Sequence, residues 1–238
     1  MTQQITPAVA KTDGRKRRWH QHQVERRTEL VDGALDAIRR LGRDVSMDEI
    51  AAEIGVSKTV LYRYFVDKND LTTAVMMRFT QTTLIPNLAA ALASGLDGFA
   101  QTREIIRVYV DTVAAEPEPY RFVMANSSAS RNKVVADSER IIARMLAVML
   151  RHRMRQVGMD TGGVEPWADM IVGGVQLATH SWMSNPRMTS AELIDYLTML
   201  CWSALCGIVE VGGSLDAFRS EPHPSPILPS AIGPATPD

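Results

Sequence analysis

Five side chains between residues 58 and 68 could contact a nucleic acid: Lys58, Thr59, Tyr62, Tyr64 and Lys68. Ammonium and hydroxyl groups bind phosphate oxygens, and those near the start of a helix also reach base edges in the major groove. A protein core has no use for two lysines and two tyrosines on one face. The pattern therefore favours DNA binding over a purely structural role.

The flanking residues predict three helices that position these side chains. Ser46 with Glu49 forms a capping box that starts one helix, and Gly55 ends it, because the residue after a helix commonly takes positive φ. Ser57 caps a second helix and Asp67 caps a third. Two short helices across a glycine turn form a helix-turn-helix, which lays its second helix in the major groove.

This segment resembles the DNA-binding signature of the tetracycline-repressor (TetR) family. The match is dense and in the correct order, although about half of its residues, Ile50 and Leu61 among them, belong to a core whatever the function. The matching residues are Ala34, Ile50, Ala51, Gly55, Val56, Ser57, Leu61, Tyr62, Arg63, Tyr64, Phe65, Lys68 and Leu71.

The resemblance implies a role for each exposed residue of the second helix. Lys58 and Thr59, at its N-terminal end, are expected at base edges. Tyr62 is expected to pack on a sugar-phosphate, and Tyr64 to reach a phosphate or a thymine methyl. Lys68, at the start of the next helix, is expected to hold a phosphate.

The two serine caps are further candidates for phosphate contact. Ser46 and Ser57 offer hydroxyls and helix-start N–H groups, which together favour an anion. Met47 stands where some relatives carry a polar DNA contact. This apolar residue argues against base readout from the first helix of the pair.

A basic cluster precedes these helices. Arg15, Arg17 and Arg18 lie within residues 1–18, and residues 1–68 carry a net charge of +3 against −4 for the remainder. Phosphate binding depends on such local charge, because each neutralised phosphate releases counterions. We expect a disordered basic arm whose arginines enter a minor groove or lie along phosphates, or else form a solvated tail.

Hydrophobic periodicity predicts an all-α protein with an N-terminal helix-turn-helix head and a C-terminal helical body. The first helix is expected from Trp19 or Val24 to Leu41, and six prolines mark the C-terminal end of the chain as a tail. The expected divisions are a disordered basic arm (1–18), a DNA-binding head (19–68), a ligand-binding and dimerisation body (69–213) and a disordered tail (214–238).

The last two predicted helices, 166–185 and 190–211, suggest a dimer. Residues 197–209 are apolar nearly all round, which a helix on the surface of a monomer should not be. We expect this helix to pack on the body and on a second subunit, and the TetR resemblance implies a four-helix bundle there. Such a dimer requires a palindromic DNA site. The residues assigned to the interface are Gly174, Trp202, Leu205 and Ile208.

The resemblance also implies a pocket in the body whose ligand changes the spacing of the two heads. Thirteen methionines would suit a plastic cavity for a flexible apolar compound, such as a long-chain acyl or alkyl ligand. Arg140 or Arg144 would meet its head group, or else lie on a solvated face. The expected lining is Phe79, Tyr109, Phe122, Met145, Met149, Met170 and Trp182.

Other protein classes have little support in the sequence. It contains no glycine-rich phosphate loop and no nucleophile elbow, so we expect neither an enzyme nor a cofactor. His20 and His22 lie in the basic arm without a third ligand, which argues against a metal site. Cys201 and Cys206 are spaced as reduced core residues, not as a disulfide framework. With no apparent membrane span or signal peptide, we expect a cytoplasmic protein.

Three alternatives stay open. A ligand-independent DNA-binding dimer would share every feature above, because a pocket and a packed core look alike in sequence. Activation instead of repression depends on the position of the operator. An enzyme with a helical body would need turnover that survives loss of residues 1–68.

Overall fold

The computed structural model describes residues 10–125 and 129–223, with side chains for 16–122 and 139–223. Within these ranges it contains helices and no strand, which confirms the all-α prediction. The helices are α1 (Ala10–Leu41), α2 (Met47–Glu53), α3 (Lys58–Tyr64), α4 (Lys68–Phe79), α5 (Ile85–Leu92), α6 (Gly98–Ala115), α7 (Pro117–Ala125), α8 (Ala129–Gln156), α9 (Val164–Ser184), α10 (Ser190–Glu210) and α11 (Leu215–Ser220).

Two predicted boundaries were wrong. Helix α1 begins at Ala10, so residues 10–18 of the expected disordered arm are helical. This stretch is rich in lysine and arginine, which favour helix, and contains no proline. In the expected tail, the Ser214 hydroxyl accepts a hydrogen bond from the Ala217 N–H at 3.2 Å and so starts the short helix α11. The remaining tail, 224–238, lies outside the described residues.

Helices α1 to α4 form the DNA-binding head around one apolar core. Ile38, Ile50 and Leu61, from three different helices, are fully buried in it. Body helix α7 packs against α1 and α4 and places Phe122 in the same core, with 0% of its surface exposed. The prediction that Phe122 lines a ligand pocket was therefore wrong.

Ion pairs join the head to its neighbours. The Arg39 guanidinium donates two hydrogen bonds of 2.8 Å to the Glu116 carboxylate, which lies between α6 and α7. This bond raises the pKa of Arg39. Within the head, Arg78 on α4 makes a similar bidentate pair with Asp32 on α1, at 2.5 and 2.8 Å. Bidentate geometry restricts rotation as well as separation.

A nearly continuous helical rod connects head and body. Helix α4 passes into a π-helical segment, Thr80–Leu84, and then into α5. Pro86 is accommodated in the first turn of α5. Pro86 has no N–H to donate to the residue four positions earlier, and the hydrogen-bond register changes just before it.

The body consists mainly of α6, α8, α9 and α10. One apolar cluster surrounds Val110 and Val113 of α6, and a second surrounds Val164 and Ala168 of α9. Helix α10 is long and apolar enough to cross a membrane by length and composition, with 28% of its most apolar window buried. No membrane span was expected from the sequence. A single helix of this kind is weak evidence for a membrane span, because core helices of soluble proteins share the same composition.

A glycine pair after α10 gives a test of the packing. Gly212 and Gly213 both take positive φ, at +61° and +71°. A Cβ on Gly213 would lie 2.4 Å from the Asp160 carbonyl oxygen, whereas one on Gly212 would meet nothing within 4 Å. Gly212→Ala should lower the free energy of unfolding by about 1 kcal/mol through backbone strain alone. Gly213→Ala should lower it by at least about 2 kcal/mol.

Urea denaturation of the two variants measures this difference. Equal losses would show that the loop between α8 and α9 relaxes away from Gly213 without cost.

Candidate nucleic-acid interface

The helix-turn-helix forms through the predicted caps. The Glu49 N–H donates to the Ser46 hydroxyl at 3.2 Å, and the Ser46 N–H donates to the Glu49 carboxylate at 2.8 Å. These hydrogen bonds lower the pKa of Glu49. Gly55 takes φ +71°, and the Val60 N–H donates to the Ser57 hydroxyl at 3.3 Å to start α3. Local chemistry therefore sets where α2 and α3 begin and the turn between them.

Helix α3 separates an inner from an outer face. Leu61 and the following Phe65 are fully buried, whereas Lys58, Thr59 and Tyr62 are exposed. The structure thus brings three of the predicted contact residues together on one surface. A short helix with a buried anchor and an exposed polar face has the form needed to enter a major groove.

Lys58 is engaged within the protein. Its Nζ donates to the Asp48 carboxylate of α2 at 2.7 Å, and this hydrogen bond raises the pKa of Lys58. The Tyr62 ring centroid lies 5.7 Å from the same Nζ. Asp48 was missed in the sequence, where its ten-residue separation from Lys58 gives no local signal. A DNA contact by Lys58 would require its ammonium group to leave this carboxylate.

Tyr64 and Lys68 are less accessible than predicted. Tyr64 is half-buried against the head core, and the Arg63 guanidinium lies 5.3 Å from its ring centroid. Lys68 Nζ lies 5.2 Å from the Phe122 ring centroid. Exposed Arg63, which the motif itself contains, is a further candidate for phosphate contact that the sequence reading did not assign.

The remaining predicted DNA contacts are the two serine caps and the three arginines of the N-terminal basic cluster. Ser46 and Ser57 are exposed, but their hydroxyls already serve as helix caps, so helix-start N–H groups are their stronger contribution. Arg17 and Arg18 are exposed on α1, and the Arg15 side chain lies outside the described part of the chain. Met47 is buried, in agreement with the expectation that it reads no base.

Among the described residues of the body, three cavities are relevant to ligand binding. The distal cavity, of about 300 Å³, lies among α6, α8, α9 and α10, and its walls include Gln101, Met149, Arg153 and Trp202. The middle cavity, of about 50 Å³, includes Met145 and Val172. The head-proximal cavity, also about 50 Å³, includes Phe79, Thr80, Leu84, Tyr109 and Tyr120. Tyr109 lines both small cavities.

The predicted pocket residues divide between cavity walls and other positions. Met149 lines the distal cavity, Met145 the middle one and Phe79 the head-proximal one, whereas Met170 is 62% exposed. Trp182 packs against the body core, and its Nε1 donates to the Met188 carbonyl at 2.7 Å. The described cavity walls include neither of these two. Arg140 and Arg144 lie on the exposed side of α8 and line none of the three cavities.

The proposed dimer residues also need revision. Trp202, Leu205 and Ile208 line the distal cavity of their own subunit, and Trp202 packs edge-on against Phe99 with ring centroids 5.6 Å apart. Gly174 is exposed, as an interface residue must be. The apolar stretch of α10 has two apolar faces, and these three residues belong to the face that lines the cavity.

Burial changes the chemistry of the head-proximal cavity. It raises the pKa of Tyr120 to about 12 and also raises that of Tyr109. Both phenols are therefore neutral near neutral pH. The Tyr120 hydroxyl is buried and has no hydrogen-bond partner among the described residues. This cavity thus offers two neutral phenols and the carboxyl side chain of Glu139 beside apolar groups.

Comparison with known proteins identifies the fold and the head. Residues 30–75 match the profile of bacterial regulatory proteins, tetR family. An uncharacterized HTH-type transcriptional regulator of Mycobacterium tuberculosis is 80% identical over 230 residues, which cover 97% of this chain and 98% of that protein. The chain belongs to the tetR family. The resemblance expected from the sequence is confirmed.

Two more distant likenesses extend the comparison. The HTH-type transcriptional activator FasR of Mycolicibacterium smegmatis is 30% identical over 183 residues, or 76% of this chain and 83% of that protein. The fatty acid degradation regulator FadR from Bacillus halodurans has a TM-score of 0.59 at 15% identity, over 74% of this chain and 93% of that one. This second likeness shows the fold alone. The chain is a DNA-binding transcriptional regulator and not an enzyme.

The Lys58–Asp48 pair generates one prediction. Asp48→Asn removes an anion close to the DNA surface and releases Lys58, so affinity for random-sequence duplex should rise roughly two- to fivefold. Fluorescence anisotropy at low salt measures it. Asp36→Asn is the control, because Asp36 pairs with Arg39 on the side of the head that faces the body. An equal gain in affinity from both variants would show that the effect comes from net charge and not from release of Lys58.

Lys58, at the start of α3, and Lys68, at the start of α4, should make different kinds of DNA contact. Lys58→Ala should relax preference at one base position, at a cost of roughly 1–3 kcal/mol for the preferred base. Lys68→Ala should weaken binding to all sequences and lower the salt slope by about 1. Titrations of single-base operator variants at several salt concentrations separate the two. A uniform loss from Lys58→Ala would contradict base readout by this residue.

Proposed function

We propose that the protein is a homodimeric, cytoplasmic transcriptional repressor that binds a palindromic operator through α3 and is released by a small apolar effector. The observation that carries this proposal is the exposed Lys58, Thr59 and Tyr62 surface on a helix anchored in a tetR-family head. One helix makes few base contacts, so selectivity in a genome needs a second head.

An exposed apolar face supports the second copy. Leu177 of α9 and Leu200 of α10 are 66% and 68% exposed. No heavy atom lies within 4 Å of where a Cβ would stand on Gly173 or Gly174, so a partner helix has room to approach closely. Exposed apolar side chains of this kind are typical of an interface. The exposed members of this face are Met170, Leu177, Tyr196, Met199 and Leu200.

The apolar cavities support the effector. Walls of the head-proximal cavity come from α4, the π-helical segment and α7, all of which lead to the head. A π-helical turn is often found at functional sites, since its register differs from that of the flanking helix. A ligand that favours one arrangement of these elements would favour one separation of the two heads. Apolar walls suit a long-chain acyl or alkyl compound.

Activation is a second candidate, because the relative FasR is a transcriptional activator. The direction of regulation depends on where the operator lies relative to the promoter. Transcription from the operator-bearing promoter, with and without the protein, decides between them.

Substitution on the exposed face tests the dimer. Leu200→Glu places a charge in the proposed interface and should give monomers with operator affinity lowered at least about tenfold. Val148→Glu, at a 64% exposed position on α8, should remain dimeric. Sedimentation velocity distinguishes the two. If the Leu200→Glu protein stays dimeric, the interface lies on another surface and the proposal is wrong.

Selection of bound duplexes from genomic DNA tests the function as a whole. We expect an enriched palindrome that is lost when a long-chain acyl compound is added. A palindrome that persists with every compound would support the ligand-independent alternative. Absence of enrichment would contradict operator binding.

A further inference from the structure

The wall of the distal cavity contains a buried side-chain amide whose oxygen lacks a hydrogen-bond donor among the described residues. Gln101 is 2% exposed, and its Nε2 donates to the Leu92 carbonyl at 2.8 Å and to the Ala91 carbonyl at 3.4 Å. These bonds cap the end of α5. They also fix the orientation of the amide, because the reverse orientation would place Oε1 against two carbonyl oxygens.

The Oε1 atom of Gln101 is shielded from solvent and has no hydrogen-bond donor among the described residues. A buried acceptor without a partner destabilises the folded protein, because the acceptor has lost its hydrogen bond to water. The nearby Thr102 hydroxyl does not help, because it donates to the Gly98 carbonyl at 2.8 Å. An occupant that supplies a hydroxyl or N–H donor would recover this loss.

Arg153 supplies a positive charge to the same cavity wall. It donates to the Leu96 carbonyl at 3.3 Å, and no described carboxylate forms an ion pair with it. Its neighbour Arg151, by contrast, is paired with Glu165. Arg153 is half-buried and so reaches both the cavity and solvent. A guanidinium in this position suits a carboxylate.

Both polar groups are anchored to one short connection. Gln101 bonds to the carbonyl of Leu92 and Arg153 to that of Leu96, at the two ends of the link between α5 and α6. Much of the remaining wall is apolar, with Ile105, Leu146 and Ile171 shared with the middle cavity. The polar groups of an occupant therefore belong at one end and its hydrocarbon at the other.

Volume and plasticity agree with such an occupant. About 300 Å³ is at the lower end of the range for small-molecule sites. Met149, Met154 and Met159 line the cavity, and flexible methionines can move to admit a longer chain or to uncover Oε1. The middle cavity lies directly beyond the shared wall.

We propose that the distal cavity binds an anionic amphiphile with a hydroxyl beside its acid group. The carboxylate pairs with Arg153, the hydroxyl donates to Gln101 Oε1, and the alkyl chain extends along the apolar wall toward the middle cavity. This inference rests on the proposed function, because it names the chemistry of the effector and the cavity that receives it.

Isothermal titration calorimetry of the full chain tests it with three probes: dodecanoate, its β-hydroxy derivative and dodecanol. The hydroxy acid should bind most tightly and the alcohol least. Arg153→Met should weaken both acids about tenfold and leave the alcohol nearly unchanged. Arg155→Met, at an exposed position outside the cavity wall, is the matched control and should bind all three as the wild type does.

Gln101→Met tests the hydroxyl contact. The substitution also removes the cap on α5, so the informative quantity is the ratio of the two acid affinities on one protein. This ratio should be about three- to tenfold in the wild type and close to one in the variant. A ratio that survives the substitution overturns the role of Gln101.

Tryptophan fluorescence locates the ligand. Trp167 and Trp202 both line the distal cavity, whereas Trp182 packs in the body core. The double variant Trp167→Phe, Trp202→Phe should remove most of the emission change on adding the hydroxy acid, and Trp182→Phe should preserve it. The reverse result places the ligand elsewhere and overturns the inference.

The two proposals fail in different ways. If none of the three probes binds while another compound releases the operator, the amphiphile site is wrong and the effector function stands. If the hydroxy acid binds with the predicted preferences and operator affinity is unchanged, the site stands and its role in release is wrong.

Discussion

Burial of Phe122 in the head core is the constraint on which the rest of the structure depends. The residue belongs to body helix α7, yet its ring is fully buried among head residues, beneath the Lys68 ammonium. Removing such a ring from a core typically costs about 3–5 kcal/mol. The bidentate Arg39–Glu116 pair restricts rotation at the same junction. The head therefore cannot turn on the body unless α7 moves with it.

This junction connects the cavities to DNA binding by a short physical path. Tyr120, two residues before Phe122 on α7, lines the head-proximal cavity, and so does the π-helical segment Thr80–Leu84. Packed helices exchange between discrete arrangements and do not deform continuously. In the proposed mechanism, occupancy of the cavities selects an arrangement of α7 and α4, which sets the position of α3 relative to the body. The distal cavity meets α10, the helix of the proposed dimer interface, so an occupant there would act on both the subunit contact and the head.

Features that depend on local chemistry could be predicted from the sequence, whereas features that depend on which face of a helix turns inward could not. The capping box at Ser46 and the glycine turn at Gly55 are set by adjacent residues, and both formed as expected. Trp202 was assigned to the dimer interface but lines a cavity, because α10 is apolar on two faces and periodicity cannot rank them. Phe122 and Asp48 depend on partners distant in sequence, with no periodic signal.

The coupling between ligand binding and operator binding is measured most directly by a linked titration. Operator affinity is determined with and without saturating dodecanoate, and dodecanoate affinity with and without saturating operator. Coupling through α7 predicts that each lowers the other's affinity by the same factor, and that Phe122→Leu brings this factor closer to one. Contradiction would be dodecanoate binding that leaves operator affinity unchanged, or a coupling factor that Phe122→Leu does not alter.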